Sequence, residues 1–428
     1  MADGTPQHAI ASPETRIDAS RMPSLVSDLA RANLAAQFSE QMTLAVIPIV
    51  AVMALGASAG QTASLQGATT LPFLLLSLPA GGLADRYRRK PLMIATELLR
   101  ATALLLLFAL FHSGLLTLTA LAVLGFAMAT GTVVFGAAAP SLVAALVGQA
   151  DLLTANRRLE IARSVAFTAG PALGGLLAGW ASGTLAFAGA LLLSLVSAYC
   201  LSRLPQEAPR PVSRRHFFHE LTEGVSFIAL NRYLRPIVAT AFVFNTSWYL
   251  LLAVFAYYAI DSLGFTAQTV GIALGVYGFG MVCGAFGYAR LAAHFRFGRQ
   301  ILLGPVCAAI AALLMVGTLS LSGRVTIYGA VFGAFFLFGF GPIVWTISTT
   351  SLRQVVTPAG RVARVSAAIM TATFGARPLG AFLGAWLAAS FGTTACLMGM
   401  AAGFALQLGI ILCSPAVRLA SLDAVHAG

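Results

Sequence analysis

Residues 81–93, GGLADRYRRKPLM, decide how the rest of this 428-residue chain is read. Five of the six positions from Asp85 to Lys90 are charged, in a protein that is only 9% charged and 58% hydrophobic. Mean hydropathy is +0.87. Soluble domains carry nearer a quarter charged residues, so the composition belongs to the membrane class and excludes a soluble globular fold. A charged knot flanked by apolar runs, each long enough to cross a hydrocarbon core of ~30 Å, marks a connection held outside the bilayer.

Outward from that knot, apolar runs predict helices near 33–55, 63–84, 92–112, 116–139, 161–181 and 183–203, then near 234–260, 266–292, 301–321, 325–350, 366–390 and 394–414. The fold class expected is therefore an all-α membrane protein of about twelve transmembrane helices in two six-helix, pseudo-symmetric bundles. The expected units are an N-terminal tail (1–24), a first bundle (25–203), a linker (204–232), a second bundle (233–414) and a C-terminal tail (415–428). The polar N-terminal stretch, with Pro6, Pro13 and Pro23, lacks the apolar core of a signal peptide.

Arginine fixes the orientation. The tails and the connections at 85–91, 146–160, 203–235, 294–300 and 353–364 carry nearly all the basic residues, whereas in the six opposite connections only Arg324 is basic. By the positive-inside rule both termini are cytosolic. The net charge of +12 is then an orientation signal that faces anionic lipid head groups, and no nucleic-acid module is required. Lys90 is the single lysine among 26 basic residues, which fits a GC-rich bacterial coding sequence and places the chain in a bacterial inner membrane.

Within the linker, Pro205, Pro209 and Pro211 exclude helix. Phe217, Leu221, Val225 and Ile228 then recur at helical spacing opposite His219, Glu220 and Glu223, as in an amphipathic helix lying on the membrane surface. His216, His219 and Glu220 lack the order of a zinc helix, and the five cysteines have no ligand spacing, so no metal is expected. No phosphate-cradling glycine loop is present, so the energy source expected is a proton gradient, with no ATP site and no cofactor. The halves also echo each other: Leu83-Ala84-Asp85-Arg86-Tyr87-Arg88 corresponds to Leu291-Ala292-Ala293-His294-Phe295-Arg296. Internal repeats of this kind build secondary transporters, with the substrate site between them.

The stretch Gly81 to Lys90 resembles the signature between the second and third helices of the major facilitator superfamily, Gly-x-x-x-Asp-Arg/Lys-x-Gly-Arg-Arg/Lys. Gly81, Asp85, Arg86, Arg89 and Lys90 match it, and Arg88 replaces its second glycine. Gly170-Pro171-Ala172-Leu173-Gly174-Gly175 resembles the core of that superfamily's antiporter motif, with Ala166 where a further glycine is expected. Glu97-Leu98-Leu99-Arg100-Ala101, Glu223-Gly224, Gly375-Ala376-Arg377-Pro378-Leu379-Gly380 and Ser39-Glu40 are similar to the enterobactin-exporter-like branch. The resemblance covers 25–414 and implies a monomeric exporter working by alternating access. It implies that Asp85 caps the eleventh span, near Ser366, while Arg86, Arg89 and Lys90 tie the halves together, and that Gly170, Pro171, Gly174 and Gly175 form a tight hinge between the fifth and eighth spans.

Glu40 is the sharpest candidate, the one acid well inside a span, with Gln37 and Gln41 one turn away or adjacent. A carboxylate in low dielectric is costly as an anion. It can exchange a proton, bind a cationic substrate, or pair with an arginine such as Arg377, itself embedded in the eleventh span. Glu97 and Arg100, one turn apart, read as a local pair supporting the loop. The fourth span offers Thr130 and Thr132 and lacks the embedded arginine of many proton-coupled relatives. Phe244, Asn245, Trp248 and Tyr249 in the seventh span, with Phe340 and Trp345 in the tenth, are cavity candidates for a bulky amphipathic substrate.

The function expected is proton-antiport export of a hydrophobic or amphipathic small molecule, a drug or siderophore-like metabolite. Uptake of a small solute on the same fold is the alternative. A membrane enzyme would need a convergent nucleophile and base, which the sequence does not offer, and a non-transporting sensor would need a soluble output domain.

Overall fold

The structure is a computed structural model that describes residues 22–147, 152–181, 183–207, 217–358 and 361–421. Among these every regular element is helical. Ten helices are long and apolar enough to cross a membrane. They are α1 (Met22–Leu55), α4 (Arg89–His112), α5 (Leu118–Leu146), α6 (Leu152–Ala181), α7 (Thr184–Arg203), α9 (Leu234–Tyr257), α10 (Ala267–His294), α11 (Phe297–Gly317), α12 (Arg324–Val356) and α13 (Val362–Leu412). An eleventh crossing is split into α2 (Ala59–Leu75) and α3 (Ser77–Arg86). The break falls at Leu76, because Pro79 has no N–H for the carbonyl of Leu75.

The twelfth crossing is hidden inside α13. At Gly392 the backbone takes φ 80° and ψ 179°. Beyond it the chain doubles back, so that Cys396 Sγ lies 3.5 Å from the carbonyl of Gly384. A continuous helix would separate those residues by ~18 Å. Six crossings therefore precede and six follow the linker helix α8 (Phe217–Leu230), and both ends of the bundle emerge on one face, called here the terminal face. The first helix begins at Met22, well before the apolar run near 33, and its extra turns carry the Asp28–Arg31 pair at 3.4 Å.

The two faces are closed by different chemistry. On the far face every turn contains one glycine at positive φ: Gly56, Gly114, Gly183, Gly264, Gly323 and Gly392. Several of the helices leaving these turns are capped by side chains. Gln61 N–H donates to Ser58 Oγ while Ser58 N–H donates back to Gln61 Oε1, and Thr117 accepts from Ala120 N–H. On the terminal face the connections are arginine-rich and of unequal length, from the two residues between α3 and α4 and between α10 and α11 to the segment that carries α8.

The repeat seen in sequence holds in three dimensions. Tyr87 (φ −106°, ψ 158°) and Phe295 (φ −112°, ψ 137°) end α3 and α10 in extended backbone, and Arg88 and Arg296 then open α4 and α11. In each half the segment after the last crossing seals the helix that follows this turn. Glu207 accepts from Arg89 N–H at the start of α4, and Phe297 and Gly298 N–H at the start of α11 donate to Ala420 O (3.2 Å) and Leu419 O (2.9 Å). A carboxylate at a helix N-terminus is favourable by ~0.3–1 kcal/mol, more when partly buried, as Glu207 is.

Close backbone approach joins the halves toward the far face. An added methyl at Gly175 would meet Ala267 O at 2.6 Å, and one at Gly271 would meet Pro171 O at 2.6 Å, so α6 and α10 touch main chain to main chain. Gly60 packs on Ala389 and Gly67 lies against the Phe382 ring, joining α2 to α13 through side chains. Toward the terminal face, by contrast, a methyl on Gly81 or Gly82 of α3 would meet nothing within 4 Å.

Helix α8 does not present its whole apolar stripe to the surroundings. Gly224 comes against the carbonyl of Arg364, Glu223 pairs with Arg364, and Ile228 is buried with Leu234, Val365 and Ala368. Val225 and Leu230 stay exposed. The side chains of Phe217, His219 and Glu220, with His216, lie outside the described residues, as do the tails at 1–21 and 422–428.

Candidate functional site

Between the halves lies a cavity of about 240 Å³, walled by α1, α2 and α6 on one side and by α9, α10 and α13 on the other. Glu40 and Gln41 face it from α1, and Phe244, Asn245, Trp248 and Tyr249 from α9. Arg377 enters from α13. A branch of about 40 Å³ leads from Glu40 into the first half as far as Arg100 and Thr132.

At the end of that branch sits a buried ionic cluster. Arg100, 2% exposed, donates from Nη1 to Glu97 Oε1 at 2.7 Å and to the carbonyl of Ala36 at 3.3 Å. Its Nη2 donates to Thr132 Oγ1 at 2.8 Å and lies 3.8 Å from Glu40 Oε2. Glu97, fully buried, also accepts from Ser194 Oγ of α7 at 2.9 Å. Two carboxylates therefore share one guanidinium, unequally: Glu97 has the close contact and Glu40 the loose one. An isolated charge here would be strongly disfavoured, and the mutual pairing and hydrogen bonds compensate it.

The sequence reading of Glu97 and Arg100 as a local pair saw half of this. The pair exists, but it is the anchor of the cluster that reaches Glu40, and the signal was the i,i+3 spacing of two charges inside a span. The embedded arginine missing from the fourth crossing is supplied by the third, with Thr132 of α5 as its partner.

Arg377 does not complete that cluster. Its guanidinium lies over three rings, Phe374 at 4.4 Å, Phe73 at 4.8 Å and Tyr249 at 5.4 Å, and its buried Nε has no hydrogen-bond partner. Cation–π contacts of this kind are each worth ~0.5–2 kcal/mol and hold the charge at the seam between the halves. Trp248 stacks on Tyr277 at 4.8 Å and packs on Phe335 and Phe338, so it is mostly core with one edge on the cavity.

Other expected residues fall elsewhere. Gln37 lines neither the central cavity nor its branch. Thr130 turns back to donate to Phe126 O at 3.0 Å, and Phe340 stacks on Phe336 at 5.8 Å, both away from the central cavity. Trp345 lines a separate cavity inside the second half. Gly170 and Gly174 pack on α1, where a methyl would meet Gln41 Cβ at 2.7 Å and Met42 O at 2.9 Å, whereas Gly175 packs on α10. Pro171 lines the central cavity.

The charged knot at 85–90 grips its own half. Arg88 donates to Gln206 Oε1 at 2.9 Å, and Lys90 Nζ donates to the carbonyls of Ser202, at 2.8 Å, and Leu204. Cations on the last carbonyls of α7 complement that helix end. Arg86 is exposed and makes no ion pair among the described residues. The side chain of Asp85, the expected cap for the eleventh crossing, lies outside the described residues.

Comparisons agree with this architecture. Residues 31–427 match the family model described as transmembrane secretion effector. No curated protein matches the sequence. Among solved structures, a bacterial homologue of the iron transporter ferroportin in an inward-facing state superposes with TM-score 0.69 at 17% identity, covering 91% of this chain and 98% of that one. The nucleoside transporter NupG gives 0.73 at 11% identity, covering 91% and 97%. A bacterial homologue of the human lysosomal transporter Spinster, inward-facing and unoccupied, gives 0.64 at 14%, covering 92% and 96%. At such identities the likeness concerns the fold. With the family match over nearly the whole chain, it establishes that this protein belongs to the transmembrane secretion effector family of major facilitator transporters.

Proposed function

We propose that this transporter exports a hydrophobic or amphipathic small molecule by alternating access, driven by proton antiport, from a bacterial inner membrane with both termini cytosolic. One observation carries the coupling: Glu40 reaches the central cavity while its only ion-pair partner among the described residues, Arg100, is 3.8 Å away and held more closely by Glu97. Glu40 can therefore take a proton, or yield to a substrate, without leaving Arg100 uncompensated. The aromatic wall of the cavity suits a bulky apolar body. The family's description as secretion effectors supports export, and the arginine-rich terminal face supports cytosolic termini facing anionic lipid.

Alternation would proceed around the α6–α10 and α2–α13 seams. In the state closed at the terminal face, Asp85, Arg86, Arg89 and Lys90 would engage the second half, Lys90 giving up the carbonyls at the end of α7 that it now holds, with Gly81 allowing α3 to close on it. Gradient-driven transport of dyes, drugs and siderophores into inverted vesicles tests the proposal. Wild-type protein is expected to accumulate substrate under an imposed pH gradient and Glu40→Gln to lose that accumulation. Intact gradient-driven transport by Glu40→Gln would remove the coupling role. Uptake into right-side-out vesicles driven by Na⁺ alone would remove the export reading.

A further inference from the structure

The second half contains a cavity of its own, about 270 Å³, which meets the central one at Phe244, Asn245 and Tyr277. Its far wall is α12, where Trp345, Thr349 and Arg353 recur every fourth residue. They form a polar stripe ~12 Å long, ending near the terminal face. Two polar atoms on this wall are buried and unpartnered, Trp345 Nε1 and Arg353 Nε, and a third, Gln407 Oε1, borders the cavity from α13 on a side chain only 3% exposed. No carboxylate lines the cavity, and Arg353 has no ion pair among the described residues. Every other charge embedded near the cavities is compensated, Arg100 by two acids and Arg377 by three rings. Arg353 has neither.

A guanidinium and an indole N–H can only donate, so the group that completes this site is an acceptor. The half-buried, unpaired positive charge of Arg353 favours a negative partner. Turned over about its terminal torsion, the Gln407 amide presents its NH2 donor to the same acceptor in place of the unpartnered Oε1.

We propose that this cavity binds the carboxylate end of an amphipathic organic anion, with Arg353 as the charged anchor and Trp345 and Gln407 as its hydrogen-bonding walls. The apolar body runs past Phe244 and Tyr277 into the aromatic central cavity. This rests on the transport reading above and narrows its substrate class from amphipaths in general to anionic ones.

The test is equilibrium binding to purified full-length protein in detergent, without any gradient, so that it is independent of transport. The probes share one chain: 11-bromoundecanoate, 11-bromoundecanol and the corresponding bromoundecyl-trimethylammonium. Affinity is read by calorimetry, and location by bromine quenching of tryptophan fluorescence. The acid is expected to bind at least tenfold more tightly than the alcohol or the cation and, with its bromine at the far end of the chain in the central cavity, to quench Trp248, an effect lost in Trp248→Phe. Arg353→Gln is expected to weaken acid binding by about tenfold to a hundredfold while leaving the alcohol within about twofold. Arg353→Lys falls between, since it keeps the charge without the fork. Should Arg353→Gln lose alcohol binding too, Gln407→Leu decides, with an expected severalfold loss for the acid alone. Equal affinity for acid and alcohol, or acid binding unchanged in Arg353→Gln, would overturn the assignment. Selective acid binding without gradient-driven transport would instead overturn the transport reading and leave the site standing.

Discussion

Replacing Arg100 by Leu tests the ionic cluster most directly. The substitution keeps an apolar stem of similar reach and removes the guanidinium. It takes away the 2.7 Å contact to Glu97, the 2.8 Å bond to Thr132, the bond to Ala36 O and the attraction on Glu40. Glu97, fully buried, is then left with Ser194 as its one side-chain donor. Removing one partner of a buried pair costs ~3–5 kcal/mol, chiefly through the orphaned charge. Neutralising that charge in the double variant Glu97→Gln/Arg100→Leu should recover roughly 2 kcal/mol or more. Residues in direct contact are non-additive on this scale. The measurement is reversible unfolding in mixed detergent across wild type, both single variants and the double. Strict additivity of the two single effects, or a cost below about 1 kcal/mol for Arg100→Leu, would refute the picture of Arg100 as the shared cation.

Other outcomes follow from particular contacts. Gly175→Ala should destabilise by ~1–3 kcal/mol, because the new methyl meets main-chain atoms of α10 at 2.6–2.7 Å, whereas Gly81→Ala, with open space around it, should be neutral or slightly stabilising in the same assay. Glu207→Ala should cost about 1 kcal/mol and speed hydrogen exchange at the start of α4, leaving the start of α11 unchanged because main-chain carbonyls seal it. Arg377→Gln should lose about 1–2 kcal/mol through the vacated ring contacts, and Arg377→Lys less.

Much of the architecture was legible in sequence because hydropathy and arginine placement are properties of short windows. Twelve runs, the six-plus-six division and the shared face of the termini needed no tertiary information. Even the helix-ending turns at Tyr87 and Phe295 were announced by the short repeat. Pairing was the part that could not be read. Nothing local told that Arg100 would reach Glu40 across from another helix, nor that Thr132, and not Thr130, would face it. Arg377 looked like a partner for Glu40 because both are costly charges. Three rings from two crossings of the second half and one of the first satisfied it instead. Arg89 and Glu207, and likewise Lys90 and Ser202, are more than a hundred residues apart and meet only because α7 returns beside α4.

The six left-handed glycines of the far face bear on how such a molecule can move. Each joins two crossings through a turn whose backbone shape an alanine could not adopt without strain. The far ends are thus fastened in pairs at nearly fixed spacing, like the pinned end of a folding fan. The terminal ends are joined unequally, by two-residue turns between α3 and α4 and between α10 and α11 but by a whole helix between α7 and α9. Opening toward the terminal face can spread the ends that lack a tight turn, but opening toward the far face must carry pinned pairs as units. A probe on any one of those turns would therefore report the motion of a whole hairpin.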